Sequence, residues 1–507
     1  MSESVIDGPL KEEEGFPESG HPKGLYTLFF SEMWERFCYY GMRALLLLYL
    51  TESLVKGDNE AFLIYGAYTA LVYVAPVLGG KLADQLLGYR NAVLLGGVLM
   101  AIGEFLILGG TETWLYIGMG AIIVGNGYFK ANISSIVGKL YKDGDPRKDS
   151  GFTIFYIGIN IGALLATTVC AEVGKEFGAP YGFGLAGIGM IVGTIIFQLG
   201  RKNFESKALP PDPQKLNAPW MGPLSRFHVT IIGSLAIIPA IYGLMLFPEV
   251  VGYLLAVTAV LVIYNLLSGA IKEGPIWRDR MFAMLIMFAF NIVFWACFEQ
   301  AGSSLTLFAG RNVDRVIFGW EMGAATTQFF NPAYILIFGS IFSIMWIKLT
   351  QMGKNPNIPA KFGLGILQLG LGYLVVYLAS GLVGEDYLVP LWTLALLYLL
   401  HTTGELFLSP IGLSMVTKLA PKHMTGTAMG GWFLSFAASN YVAGILATAT
   451  GQSHGGEGGD EEAVVTAADS LAQYVDVYTT MGLITVGVGI LLVILSKPIN
   501  KLLHGVT

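Results

Sequence analysis

The segment Glu32–Arg43 reads E-M-W-E-R-F-C-Y-Y-G-M-R and lies within an apolar stretch from about residue 25 to about residue 50. About 20 apolar residues suffice to cross a bilayer as a helix. On such a helix the charged residues and tyrosines of the segment share a wedge of roughly 140°. These residues are Glu32, Glu35, Arg36, Tyr39, Tyr40 and Arg43. Because a charge at the centre of a membrane helix costs about 2.5–3.5 kcal/mol, this face must border a polar cavity.

The composition indicates an integral membrane protein. Of the 507 residues, 54% are hydrophobic and only 13% are charged, whereas soluble proteins contain about 25% charged residues. Apolar segments of membrane-spanning length recur along nearly the whole chain, which excludes a large soluble domain. The three cysteines lack metal-ligand spacing, so neither a metal site nor a disulfide framework is expected. The first residues are acidic and lack the features of a cleaved signal peptide.

The apolar segments predict an all-α membrane protein with fourteen transmembrane helices. We predict an N-terminal six-helix bundle at residues 25–200 and a C-terminal six-helix bundle at residues 281–500. A linker with two additional transmembrane helices joins them at residues 201–280. Two-halved transporters of this outline place their binding site near the middle of the membrane, between the halves.

The positions of lysine and arginine support this count and predict an orientation. If the N-terminus is cytoplasmic, 23 of the 30 basic residues lie in cytoplasmic segments, four lie outside and three lie within helices. The four outer residues are Lys56, Lys175, Arg311 and Arg315. Because basic residues concentrate on the cytoplasmic side of membrane proteins, we predict a multi-pass protein of the cell (inner) membrane with both termini in the cytoplasm.

A glycine-rich motif follows the second predicted helix and reads P-V-L-G-G-K-L-A-D-Q-L-L-G-Y-R from Pro76 to Arg90. Its glycines permit close packing and a short turn, and Asp84 and Arg90 lie at the predicted cytoplasmic end. From the residues alone, Asp84 could equally cap a helix end. The whole string resembles the signature of the major facilitator superfamily, which implies that Asp84 and Arg90 act in gating by latching neighbouring helices.

Several further polar residues lie inside predicted membrane helices, where they are costly and usually functional. Lys130 is a candidate ligand for substrate, although a lysine can also extend its side chain to the membrane interface. Asn160 is a candidate ligand too, although a lone asparagine also joins neighbouring helices. Glu104 is a buried acid to which the sequence assigns no role. The remaining candidates are Tyr73, Trp295, Glu299, Asn331, Glu405 and Trp432.

The intramembrane charges differ in sign between the two predicted halves. The N-terminal half supplies the cations Arg36, Arg43 and Lys130, and the C-terminal half supplies the acids Glu299 and Glu405. A cavity with walls of opposite sign suits a zwitterion, such as a peptide or an amino acid, and excludes sugars and simple cations. Aromatic residues are expected to line its middle; they are Tyr39, Tyr40, Tyr73, Trp295 and Trp432.

Four long strings in this order resemble the proton-coupled oligopeptide transporter family, the peptide-transporting branch of the major facilitator superfamily. They are E-x-x-E-R-F-x-Y-Y-G at Glu32–Gly41, G-G-x-L-A-D at Gly79–Asp84, F-Y-I-G-I-N-I-G at Phe155–Gly162 and G-E-L-x-x-S-P-x-G-L-S at Gly404–Ser414. The two extra helices are similar to those of bacterial members. The resemblance implies a symporter that imports di- and tripeptides with protons by alternating access. We expect a functional monomer in membrane lipid, without a cofactor and without a nucleic-acid partner.

The resemblance also implies roles for individual residues. Those expected to hold the peptide carboxylate are Arg36, Arg43 and Lys130, and those expected to hold its amino terminus are Asn160, Asn331 and Glu405. The aromatic residues named above would form side-chain pockets. Those expected to couple protons to transport are Glu32, Glu35 and Arg36, with Glu299 as a further site of protonation. Animal members carry a histidine where this chain has Gly66, so proton coupling here is expected to use carboxylates.

Two alternatives remain from the sequence. Plant relatives of the family carry nitrate or amino-acid conjugates, so a transporter of another small anionic or zwitterionic substrate is possible. A membrane-embedded enzyme is the more remote alternative, and the chain contains no H-E-x-x-H pair and no embedded Ser/His/Asp set. His401 and Glu405 have a spacing that suits a metal, but nothing nearby completes a ligand set. We therefore predict a protein that is not an enzyme.

Overall fold

The computed structural model describes residues 20–142, 144–408, 412–451 and 466–506, and these residues are mainly helical. The α-helices are α1 Lys23–Leu48, α2 Asp58–Leu82, α3 Tyr89–Ile107, α4 Glu112–Lys139, α5 Lys148–Leu165, α6 Ala171–Phe177, α7 Ala179–Gly200, α8 Pro213–Asn217, α9 Arg226–Leu246, α10 Pro248–Lys272, α11 Pro275–Phe298, α12 Ser304–Asn312, α13 Phe330–Gln351, α14 Ile358–Ser380, α15 Trp392–Leu408, α16 Gly412–Leu419, α17 Thr425–Thr448 and α18 Ala467–Leu502. The first 19 residues, for which no signal peptide is expected, and part of the fourth motif lie outside the described residues.

Short elements of other geometry interrupt or join these helices. Tight 3₁₀ turns occur at Arg201–Asn203, Glu205–Lys207, Glu299–Gly302, Ala325–Phe329 and Lys422–Met424, and π-helical turns occur at Tyr49–Ser53, Ala83–Leu87 and Ala166–Cys170. The strands are β1 Pro219–Met221, β2 Leu224–Ser225, β3 Val313–Asp314, β4 Val316–Ile317, β5 Trp320–Glu321 and β6 Val389–Pro390. They form three two-stranded ribbons: β1 with β2 and β4 with β5 are antiparallel, and β3 with β6 is parallel.

Ten helices of the described residues are long and apolar enough to cross a membrane. The helices α1, α4, α15 and α17 lie within the two predicted six-helix bundles but are not among these ten. The helix α15 has only 17 residues, α1 carries the charged segment, and α4 and α17 are rich in polar residues and glycine. The membrane character of the chain is therefore clear, and the count of fourteen stays a prediction.

Local sequence explains where several helices begin. The side chain of Thr111 accepts a hydrogen bond from the backbone N–H of Trp114 at the start of α4. Thr466 and Asp469 form a reciprocal capping box at the start of α18. Such caps satisfy backbone N–H groups that have no partner within the helix. Gly88 separates α3 from the preceding π turn with a φ of +71°, a conformation that favours glycine.

Glycine pairs bring the helices of each predicted half close together. A methyl group on Gly96 of α3 would lie 2.5 Å from the carbonyl oxygen of Gly125 of α4. In the other half, a methyl group on Gly363 of α14 would lie 2.9 Å from the carbonyl oxygen of Gly489 of α18. The high glycine content therefore serves the close helix packing that the sequence predicts.

The helices α2 and α17 pack against each other, although they are more than 300 residues apart in the sequence. Gly66 of α2 faces the backbone of α17, and a methyl group there would lie 3.0 Å from the Cα of Gly444. The helix α5 also contacts α13, and the 3₁₀ turn Ala325–Phe329 contacts α1. The candidate functional residues lie on both sides of this contact surface.

The helices α9 and α10 form a hairpin that touches both parts of the chain. The helix α9 packs on α4, where the hydroxyl groups of Ser234 and Tyr128 are 2.7 Å apart. The helix α10 packs on α11 and α17. Only 17% of the most apolar stretch of each helix is buried, which suits an outer surface in contact with lipid.

Candidate functional site

Three charged residues of α1 form a buried cluster. The Nε atom of Arg36 lies 3.0 Å from Oε1 of Glu32, and the same guanidinium is ion-paired with Glu35. All three side chains are at most 3% exposed. The side-chain amide of Asn126, on α4, donates a hydrogen bond of 3.1 Å to Oε1 of Glu35. The structure thus brings together the three residues predicted to couple protons and adds Asn126, which the sequence reasoning missed.

Two turns beyond Arg36 on α1, Arg43 bridges the two predicted halves. Its guanidinium is ion-paired with Glu299, in the turn that follows α11. Its Nε donates a hydrogen bond of 2.7 Å to the hydroxyl of Tyr65 on α2. Arg43 is predicted to bind the substrate and Glu299 to bind a proton, whereas in this structure the two side chains neutralise each other.

Lys130 lies against an aromatic ring. Its Nζ atom is 4.3 Å from the centre of the Tyr73 ring, a cation–π contact between α4 and α2. The ring of Tyr73 stacks at 5.7 Å on Phe436 of α17. Phe436 also lies 5.2 Å from the ring of Trp295 and 5.3 Å from that of Trp432. This phenylalanine joins three of the predicted pocket residues, and its position one helical turn after Trp432 is the signal that could have identified it.

Tyr39 and Tyr40 lie beside the arginines of α1. The guanidinium carbon of Arg36 is 5.5 Å from the centre of the Tyr39 ring, and that of Arg43 is 5.8 Å from the centre of the Tyr40 ring. The two tyrosine rings meet edge to face at 5.2 Å. The hydroxyl of Tyr39 is buried without a hydrogen-bond partner among the described residues.

Glu405 of α15 and Asn331 of α13 are direct neighbours. The amide of Asn331 donates hydrogen bonds to Oε2 of Glu405 at 3.0 Å and to the hydroxyl of Thr402 at 3.1 Å. Asn160, the third residue expected at the peptide amino terminus, donates instead to the carbonyl oxygen of Tyr156 in its own helix at 3.0 Å. The structure therefore brings Asn331 and Glu405 together, whereas the side-chain amide of Asn160 donates its hydrogen bond within its own helix.

The charges that remain unpaired are fewer than the sequence suggested. Arg36 is neutralised by acids of its own helix, and Arg43 is neutralised by Glu299. Among the described residues, neither Lys130 nor Glu405 has an oppositely charged group within 4.0 Å. The predicted contrast between three cations and two acids thus reduces to one lysine in the N-terminal half and one glutamate in the C-terminal half.

Asp84 and Arg90 have separate partners. Asp84 accepts a hydrogen bond of 2.6 Å from the hydroxyl of Tyr89, and the Tyr89 ring lies 4.3 Å from Nζ of Lys139 on α4. Arg90 is ion-paired with Glu205 in the segment between α7 and α9. Asp84 thus links the end of α2 to α3 and, through Tyr89, to α4, while Arg90 holds the linker.

Gly66 and His401 are both tightly surrounded in the structure. At Gly66, the backbone of α17 occupies the space that a histidine side chain would need. His401 is buried with its ring 4.8 Å from that of Tyr373. In the described part of the chain, no group of three His, Cys, Asp or Glu side chains could hold a metal ion.

The sequence matches the family model PTR2, the POT family, over residues 90–460. It is 35% identical over 501 residues to the uncharacterized transporter YclF of Bacillus subtilis, with 96% of each chain covered. It is 32% identical over 489 residues to dipeptide and tripeptide permease B of Yersinia enterocolitica, covering 95% of this chain and 96% of the permease. A crystal structure of a mutant peptide transporter POT in complex with alafosfalin has 34% identity, covers 97% of each chain and superposes with a TM-score of 0.79.

The family model matches residues 90–460, and the two relatives and the solved structure match 95–97% of the chain. They also confirm the family that the four motifs indicate and the prediction that the protein is not an enzyme. The chain belongs to the POT family, whose members are membrane transporters.

Proposed function

We propose that this protein is a proton-coupled symporter that imports di- and tripeptides by alternating access. The observation that carries the substrate class is the pair Lys130 and Glu405, which are unpaired, opposite in sign and located in different halves. A peptide carboxylate would bind Lys130, and its ammonium group would bind Glu405 and Asn331. The rings around Phe436 would accept side chains of varied shape. A relative is named a dipeptide and tripeptide permease, which supports this substrate class.

The proposed architecture is that of the major facilitator fold with fourteen transmembrane helices. Residues 25–200 and 281–500 would form two six-helix bundles, and residues 201–280 would add two helices. We place both termini in the cytoplasm of a multi-pass protein of the inner membrane, acting as a monomer in lipid and without a cofactor. The close contact of α2 with α17 supports movement of one half against the other about a shared surface.

Proton coupling would arise from competition for cations. Glu32 and Glu35 share Arg36 in this structure. A peptide carboxylate that approaches Arg36 or Lys130 competes with these acids, and a carboxylate that loses its cationic partner binds a proton more readily. Substrate and proton would then favour each other's binding, as linkage requires.

Glu299 would provide a second point of coupling. Protonation of Glu299 removes the charge that neutralises Arg43, and this ion pair joins the two halves. The freed Arg43 would then be available to the peptide carboxylate. Proton binding at Glu299 would therefore loosen the contact between the halves and prepare a substrate contact in one step.

Uptake by purified protein in proteoliposomes tests the proposal. We expect di- and tripeptides to accumulate when the outside is acidic, and only to equilibrate when the pH gradient is collapsed. Nitrate, free amino acids and amino-acid conjugates in excess should compete weakly. Accumulation that ignores the pH gradient would contradict the coupling, and strong competition by nitrate or a conjugate would contradict the substrate.

A further inference from the structure

A cavity of about 830 Å³ lies where α1 ends and α2 begins, at the opposite end of α2 from Asp84. Residues of both halves line it. All four basic residues that the sequence assigns to the outer side of the membrane are among them: Lys56, Lys175, Arg311 and Arg315. This concentration of outer charge around one cavity suggests that the cavity has a ligand. We call it the outer vestibule.

Most charges of the outer vestibule are already paired. Arg311 binds Asp58 with two hydrogen bonds, of 2.6 and 2.9 Å, and Nη2 of Arg315 lies 2.8 Å from Oε1 of Glu321. Lys175 donates a hydrogen bond of 2.5 Å to the backbone carbonyl of Glu321. These contacts hold the wall in place and use only part of its hydrogen-bonding capacity.

Two lining residues of opposite charge, Arg315 and Glu52, keep hydrogen-bonding capacity. The Nε–H of Arg315 is buried without a hydrogen-bond partner among the described residues. Glu52 lines the same cavity from α1's side and has no ion pair or hydrogen bond in the described part of the chain. Glu52 interacts electrostatically with both Arg311 and Arg315. Arg315, a cation with one unpartnered donor, and Glu52, a carboxylate without an ion pair among the described residues, thus line the same cavity.

The lining also includes apolar side chains. Leu45, Leu48 and Leu307 contribute to it. A cavity of this size falls within the range of about 300–1,000 Å³ typical of small-molecule sites. A carboxylate matches a guanidinium donor and an ammonium group matches a free carboxylate. The chemistry therefore fits a small zwitterion with an apolar body.

The outer vestibule also lies next to the ion pair that closes the halves. Leu45 is two residues beyond Arg43 on α1, a rise of about 3 Å along the helix axis. We propose that the outer vestibule is a second peptide-binding site, which a di- or tripeptide occupies before the central site, with its carboxylate at Arg315 and its ammonium at Glu52. This inference rests on the proposed function and adds a site to it.

Protection of an introduced cysteine tests the second site. Ser53 is exposed and lines the cavity, and the native cysteines are all buried. We would alkylate Ser53→Cys with a membrane-impermeant maleimide, in a protein whose central site carries Lys130→Ala and Glu405→Gln. Dialanine should slow the alkylation several-fold in a saturable manner. N-acetyl-dialanine amide, which lacks both charges, should not slow it.

Matched variants identify the residues responsible. Adding Glu52→Gln or Arg315→Gln should abolish the protection, and Arg315→Lys should weaken it because a lysine lacks the several directed N–H donors of a guanidinium. Glu385→Cys reports on the same end of the molecule, because its loop joins α14 to β6, and β6 pairs with β3. Its alkylation should not respond to dialanine, and an unchanged rate in each variant verifies that the fold is intact.

The outcomes separate this proposal from the proposed function. Protection that requires an intact central site, or that survives both Glu52→Gln and Arg315→Gln, overturns the outer vestibule as a binding site. Peptide uptake by the unmodified protein would in that case still support the transport function. Protection by dialanine without any peptide uptake would support the vestibule and contradict the transport function.

Discussion

At the scale of residues, ion pairs within one helix could be predicted and ion pairs between halves could not. Arg36 follows Glu32 by four positions, so their contact follows from helical spacing. Arg43 and Glu299 are 256 positions apart, and their contact depends on how the two halves dock. The sequence therefore identified both residues as intramembrane charges but could not show that they neutralise each other.

Glu35 provides the residue-scale test of proton coupling. Glu35→Gln keeps the shape of the side chain and removes its charge, so we expect peptide counterflow to persist while accumulation driven by a pH gradient falls to the level without a gradient. Counterflow and gradient-driven uptake in proteoliposomes measure the two activities. Asn126→Ala is the matched control, because it removes only the hydrogen bond to Glu35 and should leave some accumulation. Normal uphill uptake by Glu35→Gln would refute the assignment.

A second residue-scale prediction concerns the predicted cytoplasmic loop between α4 and α5. Arg147 donates hydrogen bonds to both carboxylate oxygens of Asp145, at 3.1 and 2.7 Å, and one of 2.8 Å to the carbonyl oxygen of Gly20. These hydrogen bonds hold the pKa of Asp145 below its usual range. The stabilisation is therefore complete above the ordinary pKa of about 3.9 and is lost as the pH falls through the lowered value.

Hydrogen exchange around Gly20 should follow this titration. We expect protection that is constant near neutral pH and declines only below about pH 4. Asp145→Asn removes the charged acceptor, so exchange there should be faster and the acid-dependent loss should disappear. A loss of protection between pH 5 and 7 in the unmodified protein would point to another group.

At the scale of elements, hydropathy located the long helices but not their interruptions. The apolar stretch from about residue 25 to about residue 50 ends in the π turn Tyr49–Ser53. Hydropathy measures how apolar a segment is, whereas a π turn depends on which carbonyl each N–H binds. The hydropathy pattern therefore cannot reveal such turns.

The neighbouring glycines 79 and 80 give the element-scale prediction. A methyl group on Gly79 would lie 2.1 Å from the carbonyl oxygen of Gly127 on α4, whereas one on Gly80 would meet its nearest neighbour, Ala131, at 3.8 Å. Gly79→Ala should therefore cost about 1–3 kcal/mol of stability through overpacking. Gly80→Ala should be neutral or slightly stabilising, because alanine favours helices.

Thermal unfolding of both variants in detergent measures the difference. We expect a clearly lower midpoint for Gly79→Ala and an unchanged or slightly higher midpoint for Gly80→Ala. Equal midpoints for the two variants would show that α2 and α4 separate easily at this position. The sequence motif contains both glycines, and only the structure distinguishes their roles.

At the scale of the whole molecule, the ion pair of Asp58 with Arg311 joins the start of α2 to the end of α12. Asp58 is only 1% exposed in its side chain and Arg311 is 25% exposed, and the two belong to different halves. Because loss of one partner leaves a buried charge, Arg311→Gln should favour the state open at this end by about 1–3 kcal/mol. That corresponds to a gain in population of roughly 5-fold to 150-fold.

Double electron–electron resonance between spin labels at Ser53→Cys and Glu385→Cys can measure this shift, since the labelled positions lie in different predicted halves. Arg311→Gln should increase the population of long distances. Arg315→Gln is the control, because Arg315 is ion-paired with Glu321 within the same half and should leave the distances unchanged. Identical distance distributions for Arg311→Gln and the unmodified protein would show that the pair does not hold this end closed.

The α9–α10 hairpin has a mechanical consequence. Gly252 of α10 lies against Tyr441 of α17, and Gly269 of α10 lies against Met424 in the turn just before α17. The helix α9 is hydrogen-bonded to α4. If the two halves rock, α4 and α17 move apart or together, and the hairpin must flex at its short connection near Phe247. Its exposed face works against the surrounding lipid during that movement. We therefore expect the turnover rate to vary with bilayer thickness and lateral pressure, which makes the membrane a mechanical load on this transporter as well as its solvent.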